Sequence, residues 1–357
     1  MMKSLGNFPD PFIAEISGQP DAIRRAAAGM AEQIQVLERV AAIGHERTVV
    51  FTGMGSSYDA CYPSVTALAA AGIPTLHVDA SELLHFRRNV LADAALLVTV
   101  SQSGESAEVV RLIDGLGHDQ RSPFVVAVTN GTDNTLARLA GGVLDTRTGD
   151  EVGPSTMTFA AALIVVATVA RVLRGDVPTD AASETQRGAE AAATSIDALL
   201  ARATLPDELA AWLGDRPHSV ILARGPARAA AEMGALTLKE AIGLPIESLQ
   251  TAQFRHGPLE LAGPDLAAIV IATEPETRDL DVGLAGELVS LGAAAIAVVE
   301  GGETPEGVMR IEIGAQDRLL ASAVSILPAQ LLAWKLAVER GRPPGSYIRA
   351  SKVTTRE

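Results

Sequence analysis

The chain of 357 residues holds a single cysteine, Cys61. One thiol forms no intrachain disulfide and no cysteine-rich metal site, so a disulfide-stapled scaffold is excluded. Aromatic residues make up only 3% of the chain, although 48% is apolar. The cores must therefore be built from Ala, Val, Leu and Ile, which suits buried parallel strands under closely packed helices. Basic residues are in deficit: 29 Lys and Arg stand against 43 Asp and Glu, a net charge of −14. That balance disfavours general nucleic-acid binding, which neutralises phosphates with Lys and Arg. It leaves room for a small anion, because backbone N–H groups at helix N-termini hold phosphate without net positive charge. The opening MMKSLGNFPDPF lacks the apolar core of a signal peptide. The longest apolar stretch, Phe159–Ala170, ends at Arg171 and is too short to span a bilayer. These absences predict a soluble, cytoplasmic protein with neither membrane nor nucleic-acid partners.

What is present is a repetition. Thr48–Gly53 (TVVFTG) matches Ser219–Gly225 (SVILARG), each a β-branched run that breaks at glycine and opens into a helical pattern. Leu96–Ser101 (LLVTVS) matches Ala268–Thr273 (AIVIAT), and Phe124–Thr129 (FVVAVT) matches Ala294–Val299 (AAIAVV). All three pairs are separated by nearly one spacing, which argues for two copies of one α/β unit. In the first copy, strands are expected at 48–53, 75–79, 96–101, 124–129 and 143–146. Helical patterns between most of them imply βαβ crossovers and a parallel sheet. The expected organisation is a helical lead (1–46), a first α/β domain (47–175), a helical connector (176–215) with a break near Pro206, a second α/β domain (216–341) and a tail (342–357). The tail GRPPGSYIRASKVTTRE is Pro/Gly-punctuated and basic, and should not be helical. It is either disordered or folded over an anionic site.

Five motifs can carry chemistry. Gly53–Tyr58 (GMGSSY) follows a strand directly, and Gly55, Ser56 and Ser57 fall where a helix begins. A capped strand–loop–helix turn and a ligand loop both fit it, whereas a dinucleotide fingerprint does not, since GxGxxG is incomplete. Ser101–Ser106 (SQSGES) again sits at the carboxyl end of a strand. Ser101, Gln102, Ser103 and Ser106 beside free helix N–H groups have the chemistry of a phosphate cradle; capping alone needs one serine. Two such loops on neighbouring strands converge at the carboxyl edge of a sheet, where ligands bind in open α/β folds. In Glu151–Met157 (EVGPSTM), Ser155 or Thr156 can either cap the apolar helix that follows or touch a ligand. Glu240, and His256 within FRHGP, have the chemistry of acid/base groups. By themselves a helical Glu is more often solvated and a lone His structural. Lys352 in the tail, taken alone, reads as a solvated lysine.

GSSY, SQSGES, KE, RHGPLE and ASKVT, in that order, resemble the sugar isomerase (SIS) domain family. The resemblance covers about residues 30–357. It is to the double-domain branch: the isomerase half of glutamine–fructose-6-phosphate aminotransferases, glucosamine-6-phosphate deaminases and fructosamine-phosphate deglycases. It implies two tandem flavodoxin-like SIS domains, each a parallel sheet sandwiched by helices, in a homodimer that shares a phosphosugar site between subunits. It places Ser57, Ser101, Gln102, Ser103 and Ser106 on phosphate-binding positions, in loops that include Gly55 and Ser56, and Ser155 near a substrate-contacting serine. It places Glu240 on the base that moves a proton between C1 and C2. His256 falls on the ring-opening residue, reached from the partner subunit, and Lys352 on a tail lysine that forms an imine with the open-chain ketose. Thr237, Met233 and Met157 stand where the aminotransferases carry lysine, glutamate and lysine. An amidotransferase of that class also needs an N-terminal cysteine nucleophile, and Cys61 lies within the first loop. The expectation is a phosphosugar isomerase of the ammonia-releasing, glucosamine-6-phosphate deaminase type, without glutaminase activity and needing neither metal nor cofactor. Its rivals are simple aldose–ketose isomerisation, fructosamine-6-phosphate deglycation and a non-catalytic phosphosugar sensor.

Overall fold

A computed structural model describes residues 10–44, 48–116, 122–349 and 351–356. Residues 1–9 and 45–46 of the expected lead, and 350 and 357 of the expected tail, lie outside the described residues. Chain contacts divide the protein into two compact units.

One unit comprises residues 21–151, 157–190 and the tail from Arg349. Its sheet contains β1 (Thr48–Thr52), β2 (Thr75–His77), β3 (Ala94–Val100), β4 (Phe124–Thr129) and β5 (Gly142–Asp145). The strands are all parallel, in the order β2-β1-β3-β4-β5. All seven residues of β3 are buried, which is why its sequence is apolar but for Thr99 and not alternating. The helix Met157–Leu173 is apolar all round and buried at every position, as expected for an element enclosed on all sides. Its one charged residue, Arg171, reaches Glu184 at 3.3 Å.

The other unit contains residues 10–20, 152–156 and 191–348. Its sheet contains β6 (His218–Ala223), β7 (Ile246–Gln250), β8 (Leu266–Ala272), β9 (Ala294–Val299) and β10 (Met309–Glu312), all parallel, in the order β10-β9-β8-β6-β7. Counted from the first strand of each unit, both sheets read 2-1-3-4-5, the flavodoxin-like winding. The fold is therefore two parallel α/β sheets flanked by helices. The repeated runs in the sequence are the inner strands of the two sheets. β7 and β10 were not anticipated: both are edge strands with partly exposed residues, and an edge position carries polar side chains that break an apolar run.

Proline punctuates two helical segments. In the expected helical lead, a helix begins at Pro11, runs through Pro20 to Met30, and gives way to a second helix at Ile34–Gly44. Pro20 lacks the N–H that would bond the Ile16 carbonyl. The buried Gln19 amide donates to that carbonyl instead, at 3.0 Å. The connector breaks near Pro206 as expected, into Pro178–Leu200 and Leu205–Leu213. Pro206 falls in the first turn of the second helix, where a missing N–H costs little. The segment Ala321–Glu339 is long and apolar enough to cross a membrane by composition, and 83% of its 18-residue apolar window is buried.

Candidate functional site

Thr52 of β1 lies opposite Thr99 of β3, so the loops after these strands leave the same edge of the sheet side by side. This is the switch point of the winding, where open α/β folds hold ligands. Glycine shapes both loops. A Cβ on Gly53 would stand 2.8 Å from the Val100 carbonyl, so only glycine lets β1 turn against β3. Gly104 has φ +65, and a Cβ there would meet Asn134 Oδ1 at 1.9 Å.

The serines of the second loop are not used as helix caps. Ser106 occupies the N-cap of the helix Ala107–Asp114 but makes no side-chain cap bond. Its hydroxyl lies 3.3 Å from that of Ser101, which is 2% exposed. Ser103 Oγ accepts the Glu105 N–H at 3.2 Å. The Gln102 carbonyl is taken by Asn130 N–H and the Thr129 hydroxyl, which fixes the loop backbone and leaves its side chain to line the site. The capping explanation for this serine-rich loop is therefore unsupported at Ser106. In the first loop the N-cap of Ser56–Asp59 is Gly55, which has no side chain to cap with. Ser56, Ser57 and Gln102 line one concavity together with Thr146, Thr158 and apolar residues including Val100 and Phe159.

Glu151 is the residue that the sequence did not reveal. Its side chain is fully buried, and it accepts from the Thr158 N–H at 3.2 Å and from the Thr158 hydroxyl. A carboxylate, and not only Ser155 or Thr156, thus serves the N-terminus of the long buried helix, where a negative charge opposes the helix dipole. Lys352 donates to the same carboxylate, with Nζ–Oε2 at 2.7 Å and the lysine side chain 18% exposed. Two residues on, the Thr354 carbonyl accepts the Ala107 N–H at 3.1 Å. Among its described residues the tail is not helical, as expected, and these two bonds anchor it within the unit that carries the serine loops. The only sequence signal for Glu151 was an acid shortly before an apolar helix; its burial could not be read.

Ser155 is half-buried and belongs, like Glu240 and His256, to the unit of the second sheet. Glu240 is half-buried near the end of the helix Arg228–Ile242. His256 is exposed, just beyond the short helix Thr251–Phe254. Met233 and Thr237 are both fully buried on the Glu240 helix, and the Thr237 hydroxyl bonds back to the Met233 carbonyl at 2.9 Å. Neither position has room for a solvated charge.

The carboxyl edge of the second sheet carries ion pairs where the first carries serines. Arg224, after β6, pairs with the buried Asp281 at 2.6 Å. Glu274, after β8, is buried and pairs with Arg318 at 2.7 Å. Burial raises the Glu274 carboxyl above the usual range even so, against the pull of Arg318. Burial also pushes Glu300, after β9, up to about 7, with the Glu274 charge adding to the shift. Cys61 is buried, and burial raises its thiol well above the ordinary cysteine range, which removes it from nucleophilic chemistry near neutrality. Among the described residues, no group of three or more His, Cys, Asp and Glu side chains could hold a metal ion.

Comparison with known proteins matches the SIS domain to residues 42–171 and 213–340. The chain is similar to the glutamine–fructose-6-phosphate aminotransferase of Pyrobaculum aerophilum, with 30% identity over 100% of this chain and 59% of that protein. The Thermococcus kodakarensis counterpart is 28% identical over 100% of this chain and 60% of that protein. The chain thus spans about six-tenths of the length of these two curated relatives. Among solved structures, the C-terminal domain of glucosamine-fructose-6-phosphate aminotransferase from Francisella tularensis superposes with a TM-score of 0.84 at 22% identity, covering 97% of this chain and 100% of that one. Glucosamine-6-phosphate deaminase from Thermotoga maritima gives 0.75 at 20% identity, covering 96% and 99%. Tagatose-6-phosphate ketose/aldose isomerase from Escherichia coli gives 0.81 at 19%, covering 97% and 96%. With its two parallel sheets of one winding and a family match over both, the chain belongs to the SIS domain family.

Proposed function

We propose that the chain is a phosphosugar isomerase acting on a hexosamine or ketose 6-phosphate, in the ammonia-releasing direction. The observation that carries this reading is the concavity of Ser57 and Gln102 at the switch point. It shares Thr158 with the carboxylate that holds Lys352. Neutral donors around a helix N-terminus suit a phosphate dianion, while a lysine beside them suits an open-chain carbonyl. The similar aminotransferase, deaminase and ketose/aldose isomerase are named for fructose, glucosamine and tagatose 6-phosphates.

In this reading Ser57, Ser101, Gln102, Ser103 and Ser106 hold the phosphate, with Gly55 and Ser56 shaping the first loop. Phosphate binding fixes the reacting carbons remotely, so that binding energy serves orientation. His256 of the partner subunit assists ring opening in a homodimer whose tails, residues 342–357, close the sites. Glu240 removes the C2 proton of the open-chain aminoaldose and delivers it to C1, leaving an imine at C2. Lys352 displaces ammonia from that imine, and water then releases the ketose phosphate. No cofactor enters. The buried Met233 and Thr237 on the Glu240 helix favour this direction over amino transfer, because two charges of the aminotransferase pattern are replaced by packed, uncharged side chains. Simple aldose–ketose isomerisation is the second reading, favoured by the fold likeness to the ketose/aldose isomerase; it uses the same Glu240 step without loss of nitrogen.

The test combines a substrate panel with one variant. Hexose and hexosamine 6-phosphates are incubated with the protein while ammonia, ketose and deuterium wash-in at C2 are followed by NMR. Wild type should release ammonia from glucosamine 6-phosphate. Glu240→Gln should lose C2 exchange by about 10²–10⁴-fold, the usual worth of a general base, with phosphosugar binding retained. Ketose without ammonia selects the second reading. Absence of exchange with every compound refutes an isomerase and leaves a sensor.

A further inference from the structure

We propose that Glu151 is the positioning residue for Lys352, fixing the lysine amine and, through it, the tail against the serine loop. The proposal rests on the reading of Lys352 as the imine-forming amine. Three observations carry it. The Glu151 side chain is fully buried, yet it stands in the loop just before the helix Met157–Leu173. A buried carboxylate is costly unless its oxygens are bonded. Here Oε1 is occupied by the Thr158 N–H, while Oε2 takes both the Thr158 hydroxyl and Lys352 Nζ. Thr158 belongs to the helix start and also lines the concavity with Ser57 and Gln102. The carboxylate therefore ties the ammonium to a rigid element of the candidate site. A lysine on an irregular tail has four side-chain torsions to fix, and the bond to Glu151 fixes them before substrate arrives.

The same carboxylate can take part in the proton traffic of the imine step. Run from the ketose, as the reverse of the release step, the ammonium gives a proton to Glu151, and the neutral amine attacks the C2 carbonyl to form a carbinolamine. Glu151 returns the proton to the carbinolamine oxygen, which leaves as water. The net change is ammonium plus ketone to iminium plus water, with Glu151 restored. The second anchor, Thr354 carbonyl to Ala107 N–H at 3.1 Å, supplies a reporter of tail position that is independent of turnover.

The test uses the full chain with Glu151→Gln, Lys352→Gln and the double variant. Wild type is treated with fructose 6-phosphate and borohydride, and the Lys352 adduct is quantified by mass spectrometry. Exchange of the Ala107 amide is measured without ligand, and inorganic phosphate binding is measured as a control. Glu151→Gln should cut the adduct at least tenfold, speed Ala107 exchange several-fold and leave phosphate affinity unchanged. Glu151→Asp should recover part of the adduct, which a purely structural lesion would not allow. Lys352→Gln should speed Ala107 exchange as Glu151→Gln does, with no further gain in the double variant. If Glu151→Gln does not fold, Lys352→Gln still reports the clamp. Wild-type adduct yield in Glu151→Gln, or an Ala107 amide indifferent to both single changes, overturns the proposal. No adduct in wild type, with Ala107 exchange still dependent on both residues, refutes the imine reading of Lys352 while upholding the clamp.

Discussion

The hydroxyls of Ser101 and Ser106 lie 3.3 Å apart across the turn that follows β3, and Ser106, at the helix N-cap, leaves the cap bond unmade. Two serines that bond each other instead of the helix hold one another in place, with one hydroxyl proton shared between them and the other left to donate to a ligand. Replacing Ser101 and Ser103 by alanine should raise KM for phosphorylated sugars about tenfold or more, with kcat changed less. Each lost donor to a charged oxygen is worth about 0.5–3 kcal/mol. Titration of the double variant with the phosphorylated sugar and with its unphosphorylated counterpart checks this. An equal change for both sugars, or none, would remove the phosphate cradle.

Gly104 turns at φ +65 with Asn134 Oδ1 in the space a Cβ would take. Asn134 cannot move freely, because Oδ1 accepts the Ala137 N–H at 2.9 Å and Nδ2 donates to the Thr129 hydroxyl at 3.0 Å. Gly104→Ala should therefore destabilise the fold by about 1–3 kcal/mol, combining the left-handed backbone cost with a displaced buried amide. It should also weaken phosphosugar binding more than an alanine on an open glycine such as Gly263, which has nothing within 4 Å of its Cβ position. Chemical denaturation of both variants decides. Equal stability would show that the loop relaxes around the new methyl group.

Glu300 carries a raised carboxyl, about 7 in the folded chain against 4.5 for an ordinary glutamate, chiefly through burial. The folded state then binds more protons than the unfolded state between these values. Its contribution to stability is full below about 4.5 and is lost as pH rises through 7. Glu300→Gln removes that loss, so the variant should be more stable than wild type at pH 8, by on the order of 1 kcal/mol after allowance for half-exposure. The difference should fade by pH 5. Denaturation midpoints of both proteins at pH 5 and pH 8 measure it, and a difference that does not depend on pH would place the proton elsewhere.

The sequence by itself determined the repeated inner strands, the duplicated α/β unit and the two loops of the switch point. Inner parallel strands are buried on both faces, so each is an apolar run that survives duplication and shows as a repeat. The glycine and serine loops were legible because tight turns and neutral donors require particular residue types close together in the chain. Tertiary structure alone decided the rest. Edge strands β7 and β10 have no apolar run to betray them. The burial of Met233 and Thr237 depends on what packs over their helix. Glu151 and Lys352 stand 201 positions apart, and neither residue has a local pattern that names the other. Only the folded chain brings a tail ammonium to a buried carboxylate, because a charge left in the interior without such a partner would be too costly to keep.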